Sequence, residues 1–176
     1  MGFVVWQIFT KKWLQRAERT QRCLDDGDRF ISLWVAFNGW MKGEFGESRS
    51  DRDLIAKVKN SLAFKDTFIK LKNDSMEFRQ NLHELSNYSV LDMRHMDDES
   101  RYKRYDGSFK SLLEVIYQVR CNLFHGRKDV DEDRKDFELV SLSYNILLPL
   151  FKEYLKAQRG RNEAVWNKPN SSAVKK

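Results

Sequence analysis

The sequence predicts an all-α fold, a helical bundle of about five to seven helices. Three observations carry that expectation. Only 8 Gly and 2 Pro interrupt the 176 residues, too few for a turn-rich β fold. Hydrophobic residues make up 41% and aromatics 13%, with 12 Phe and 5 Trp, enough to fill one core. The apolar residues recur at helical spacing instead of alternating. The length suits one domain and is short for two. A helical domain over 1–159 and a flexible basic tail over 160–176 are therefore expected.

The elements follow in order. From Phe3 to about Leu24 the apolar set is Val4, Val5, Ile8, Phe9, Trp13, Leu14 and Ala17, which is one face of a helix. Asp25, Asp26, Gly27 and Asp28 break it with N-cap chemistry. A second helix from about Asp28 to Lys42 is apolar on nearly every side, which marks a central, buried element. Gly43 to Ser50 reads as a loop. Ser50, Asp51, Arg52 and Asp53 suit the start of a third helix carrying Leu54, Ile55, Val58 and Leu62. A fourth stretch, Phe64 to Leu71, is either separate from it or continuous with it. A fifth helix spans Met76 to Leu85. Asn87 to Gly107 is charged and poor in aliphatics, so it predicts a long connection with one short helix at most.

The sixth helix starts at Ser108. Its core stripe is Phe109, Leu112, Leu113, Ile116, Val119 and Leu123, and Gly126 suits a left-handed C-cap. The last long helix begins between Asp129 and Asp133 and runs through Phe137, Val140, Ile146, Leu150 and Leu155. Pro149 is expected to kink it. Gly160 to Lys176 lacks periodicity and reads as the tail.

The charge balance is +6, which permits a phosphate-rich partner without requiring one. Cys23 and Cys121 form no CxxC or Cys/His cluster, so neither a disulfide framework nor a structural zinc site is read from them. Two reduced cysteines fit a cytoplasmic protein. The apolar start, Met1 to Phe9, is too short for a membrane span and has no preceding positive region, so neither a signal peptide nor a membrane partner is expected.

The segment suited to chemistry is R-C-N-L-F-H, Arg120 to His125. Arg120, Asn122 and His125 lie at the end of a strongly apolar helix, where polar side chains need a reason. Arg120 and His125 are roughly 140° apart around an ideal helix, so they are not stacked neighbours. Asn122 and His125 share a face. A helix C-terminus favours a protonated histidine, and a phosphate between an imidazolium and a guanidinium would offset their repulsion. The set therefore suits RNA cleavage by transesterification. His125 would move a proton, Arg120 would hold the phosphate, and Asn122 would orient the histidine or a phosphate oxygen. No metal or cofactor is expected, since no acidic or histidine cluster has ligand spacing. His83 reads as structural or surface. His95 lies in the charged connection without an evident partner. Asn38 stands in the apolar second helix. It either satisfies local hydrogen bonds or supports the Arg120–His125 pair from the neighbouring helix.

Two segments resemble the HEPN domains of prokaryotic defence and toxin systems. Q-V-R-C-N-L-F-H-G-R-K, Gln118 to Lys128, resembles the R-x4-6-H signature. D-R-F-I-S-L-W-V-A-F-N-G-W, Asp28 to Trp40, resembles the helix that pairs with it in the Apea-like branch. The resemblance implies a HEPN-like bundle that dimerises, with Arg120 and His125 lining a cleft shared by both subunits, and a metal-independent endoribonuclease. Many catalytic members carry a polar residue directly after the arginine, where this chain has Cys121.

RNA, a second copy of the chain, and an antitoxin or other defence-system protein are the expected partners. The homodimer is also expected because the aromatic-rich second helix and the Arg120 helix do not obviously fit around one small core. The leading reading is a toxin or phage-defence endoribonuclease. The alternative is a non-catalytic HEPN-like module that binds RNA or a partner protein.

Overall fold

The computed structural model describes residues 3–19, 26–47, 49–92, 101–124 and 134–166. Among them are seven helices: α1 (Phe3–Arg19), α2 (Asp26–Phe45), α3 (Asp51–Lys59), α4 (Leu62–Asp74), α5 (Met76–Leu85), α6 (Phe109–Phe124) and α7 (Arg134–Trp166). A two-stranded sheet joins α5 to α6, with β1 (Ser89–Leu91) and β2 (Tyr102–Arg104). The fold is thus all-α apart from one hairpin.

The centre is α2. Phe30, Leu33, Trp34, Ala36, Phe37 and Met41 are all buried, as its all-round apolar sequence requires. It packs on α1 along one side and on α7 along another. Asp26 and Asp28 in its first turn complement the helix dipole. Asp26 also bonds Arg29 at 3.0 Å and accepts from the Ser141 hydroxyl of α7. The Arg29 guanidinium lies 4.3 Å above the Tyr144 ring, so the start of α2 is fastened to α7 twice. The Tyr144 hydroxyl donates to the Ala17 carbonyl of α1 at 3.1 Å.

Aromatic rings fill the space between α2, α4 and α7. Phe37 meets Phe151 edge-on at 5.1 Å, Trp40 meets Tyr154 at 5.1 Å, and Tyr154 stacks on Phe64 at 3.8 Å. The α6 stripe of Phe109, Leu112, Leu113, Ile116 and Val119 belongs to the same core, with Leu123 packed against it. The aromatic-rich helix and the Arg120 helix therefore do share one core. The packing reason for expecting a dimer does not hold.

Three further differences from the sequence expectation, and one point it left open, have local causes. The helix α2 runs three residues past Lys42, to Phe45, before Gly46 breaks it at φ 108°, a conformation that suits glycine. The third and fourth helices are separate, because the Ser61 hydroxyl accepts from the Phe64 amide and caps a new start. The connection after α5 carries two paired strands that the sequence pattern did not show, with Val90 opposite Lys103 and Leu91 opposite Tyr102. At the other end α7 continues through Gly160 to Trp166, so the domain boundary at 159/160 does not coincide with the end of the helix. The helix also carries Pro149 in its interior. That residue offers no N–H to the Asn145 carbonyl one turn earlier. Among the described residues no helix is long and apolar enough to cross a membrane.

Candidate functional site

Arg120 is in the last turn and a half of α6, Asp51 is the first residue of α3, and Asn38 is in the second half of α2. These three elements meet. Arg120 Nη2 bonds Asp51 Oδ2 at 2.7 Å. The Asn38 amide donates from Nδ2 to Asp51 Oδ1 at 2.6 Å. One carboxylate thus ties α2, α3 and α6 together. Ser50 holds Asp51 at this point, because its hydroxyl accepts from the Asp53 amide and fixes the first turn of α3.

The guanidinium of Arg120 lies over two aromatic rings. Its carbon lies 4.6 Å from the Phe124 ring centre and 5.4 Å from that of Trp34, within cation–π range of both. The Arg120 side chain is 20% exposed and Asp51 23%. Arg120 Nε is buried with no hydrogen-bond partner, and Nη1 reaches only the Cys121 sulfur at 4.0 Å. Arg120, Asp51, Asn38, Trp34, Phe124 and Lys42 all line an open cavity of about 470 Å³. The arginine is therefore fixed in place, partly neutralised by one carboxylate, and still has unused donors.

Cys121 does not line this cavity. It is 4% exposed and touches Tyr117, whose phenol is pushed up to about 12 by burial first and by Cys121 second. Asn122 is held by partners inside the fold. It is 3% exposed. Its carbonyl accepts from Gln118 Nε2 at 3.0 Å, and its amide donates to the Leu91 carbonyl of β1 at 2.8 Å. Both polar ends are engaged inside the fold, so Asn122 fastens the hairpin to α6.

His125, Cys23 and His95 lie outside the described residues, as do Gly126 and the expected start of the last helix. His83 is exposed on α5 and does not line the Arg120 cavity. Among the described residues no group of three His, Cys, Asp or Glu side chains is arranged to hold a metal.

Sequence reasoning missed Asp51 as a site residue. An acid in the first turn of a helix is already explained by the dipole, and nothing local signals a partner on α6. Comparison with protein-family models, with curated proteins and with solved structures found no match to this chain.

Proposed function

We propose that this chain is a HEPN-type endoribonuclease, a toxin or phage-defence effector, in which Arg120 and His125 act on the scissile phosphate without a metal. The observation that supports this reading most is the setting of Arg120. A guanidinium within cation–π range of two aromatic rings, at the wall of a cavity and still one-fifth exposed, is suited to a phosphate. Its low-dielectric surroundings strengthen the attraction for an anion. Its planar fork can take two phosphate oxygens.

In the proposed reaction the ribose 2′-oxygen attacks the adjacent phosphorus. The new O–P bond forms as the P–O5′ bond breaks, leaving a 2′,3′-cyclic phosphate and a free 5′-hydroxyl. His125, which follows Phe124 directly in sequence, takes the 2′-hydroxyl proton or supplies the proton to O5′. The other proton carrier is a second histidine from a partner copy, as the HEPN resemblance implies. Arg120 offsets the charge that builds on the equatorial oxygens. Asn38 acts through Asp51 as a positioning residue, since the two hold the guanidinium by a short chain of hydrogen bonds.

The Arg120–Asp51 pair also favours the second reading, a non-catalytic HEPN-like module that binds RNA or a partner protein such as an antitoxin. A guanidinium already bonded to a carboxylate has a structural role before any ligand arrives. Incubating the purified protein with total RNA and EDTA, beside the H125A variant, separates the two. Chelator-resistant cleavage that H125A lacks supports the nuclease. A folded wild type that binds RNA and leaves it intact supports the module.

A further inference from the structure

A second cavity lies beyond the other end of α6. It is open, about 680 Å³, and Lys72, Arg79, His83 and Arg104 stand around it with Tyr105 and Asp106 in its wall. It shares no lining residue with the Arg120 cavity. Tyr105 and Asp106 come just before the first residue of α6, whereas Arg120 is roughly 16 Å further along the axis at 1.5 Å per residue.

The cations are anchored and unneutralised. Arg79 Nη1 donates to the Lys72 and Asn73 carbonyls at 3.0 and 2.7 Å, which caps the end of α4 and leaves Nη2 and Nε unbonded. Arg104 Nε donates to the Ser86 carbonyl at 3.1 Å, which leaves both its Nη groups without a bond among the described residues. The Lys72 ammonium lies 5.9 Å from the Phe68 ring centre. None of the three forms an ion pair among the described residues. The one acid in the wall, Asp106, is outnumbered by the three cations. Asp106 Oδ1 accepts from the Ser108 amide at 2.9 Å and the Ser111 hydroxyl at 2.5 Å, at the start of α6.

Tyr105 supplies an independent observation. The residue is 7% exposed, and its hydroxyl is buried with no hydrogen-bond partner. A buried hydroxyl left unsatisfied is costly, and native folds seldom retain one without a use. Burial also raises its pKa above the ordinary value, so it remains a neutral donor that an anion does not repel.

We propose that this cavity binds a phosphate group, with Arg79, Arg104 and Lys72 taking its oxygens and the Tyr105 hydroxyl and the His83 ring donating to it. Two guanidinium forks, an ammonium, a tyrosine hydroxyl and an imidazole ring match the several acceptors of a phosphate better than the two of a carboxylate. The group comes either from a small phosphate ester or from the backbone of an RNA strand. The site does not depend on RNA cleavage at Arg120.

The test is a titration of the full chain, at constant ionic strength, followed through the His83 and Tyr105 ring resonances. Inorganic phosphate is one arm, and a 2′-O-methyl RNA oligomer that cannot be cleaved is the other. Saturable shifts at both residues are expected in at least one arm. Saturation by inorganic phosphate alone assigns a small phosphate ligand, and tighter saturation by the oligomer assigns the RNA backbone. K72Q and R104Q should each weaken the saturating ligand about tenfold, the loss of one charge-assisted bond. Y105F should weaken it as well while raising the melting temperature of the unliganded protein, because it removes the orphaned hydroxyl. Shifts that never saturate in either arm overturn the proposal. So does Y105F that is stabilised yet binds as wild type, or K72Q and R104Q variants that are folded and bind as wild type.

Discussion

Replacing Asp51 with asparagine keeps the shape of the side chain and removes its charge. Arg120 would then be a cation about four-fifths buried without its counter-ion, since the exposures are 20% and 23% for the two partners. A fully buried pair costs about 3–5 kcal/mol when one partner is lost, and an exposed pair about 0–1 kcal/mol. A partly solvated pair falls between them, at about 1–2 kcal/mol. In a chain of this size that lowers the melting temperature by roughly 2–8 °C. Urea unfolding of D51N, R120Q and the double variant isolates the pair by a double-mutant cycle. A coupling energy of about 1 kcal/mol or more is expected. A coupling near zero would refute the reasoning, because Asp51 would then hold neither Arg120 nor the junction of α2, α3 and α6. The same variant bears on function. If Asp51 competes with phosphate for the guanidinium, D51N should bind RNA more tightly even as it unfolds more easily.

Asn38→Ala should cost about 1 kcal/mol by losing its bond to Asp51, measured by urea unfolding, and should lower RNA cleavage more than this instability explains. Asn122→Ala leaves Gln118 and the Leu91 carbonyl without partners and should cost about 2–3 kcal/mol, with the hairpin losing hydrogen-exchange protection ahead of the helices. Tyr144→Phe removes the bond to the Ala17 carbonyl and should cost about 1 kcal/mol, with exchange of the α1 amides rising most. Asp106 is held down from 3.8 to about 2 by the Ser111 hydroxyl first and the Ser108 amide second. A lowered carboxylate pKa stabilises the fold above the unfolded value. The contribution of Asp106 is therefore complete above about pH 4 and lost as pH falls toward 2. D106N should flatten the acid-unfolding curve in that window, and an unchanged slope there would count against the cap.

The helices were legible because their signals are local. Met76–Leu85 has the bounds its pattern gave, and Ser50 caps α3 as its sequence position suggests. The boundary between α3 and α4 was ambiguous because Ser61 interrupts the apolar pattern by a single position, and only its bond to the Phe64 amide decides it. The hairpin escaped because strands of three residues are too short to show alternation, and β2 is Tyr-Lys-Arg. What secures it is remote, the Asn122 amide on the Leu91 carbonyl. Gly160 suggested a helix end, but one glycine costs a helix only about 1 kcal/mol, and α7 continues to Trp166. At the candidate site the motif pointed to Arg120 and a neighbouring apolar helix pointed to Asn38. The residue that joins them, Asp51, was hidden behind its ordinary role at a helix start. Asn122 was read from the face it shares with His125 and Cys121 from its place directly after the motif arginine, and the structure buries both side chains.

Whether Arg120 and His125 act on a scissile phosphate is read most directly from the chemistry of the RNA ends. Wild type, R120A, R120K and H125A, each shown to be folded by circular dichroism and melting, are incubated with a defined RNA in EDTA. Wild type should leave 2′,3′-cyclic phosphate and 5′-hydroxyl ends, R120A and H125A should leave none, and R120K should be poor because an ammonium lacks the planar fork. Folded R120A and H125A proteins that generate those ends at the wild-type rate would contradict that role for the pair.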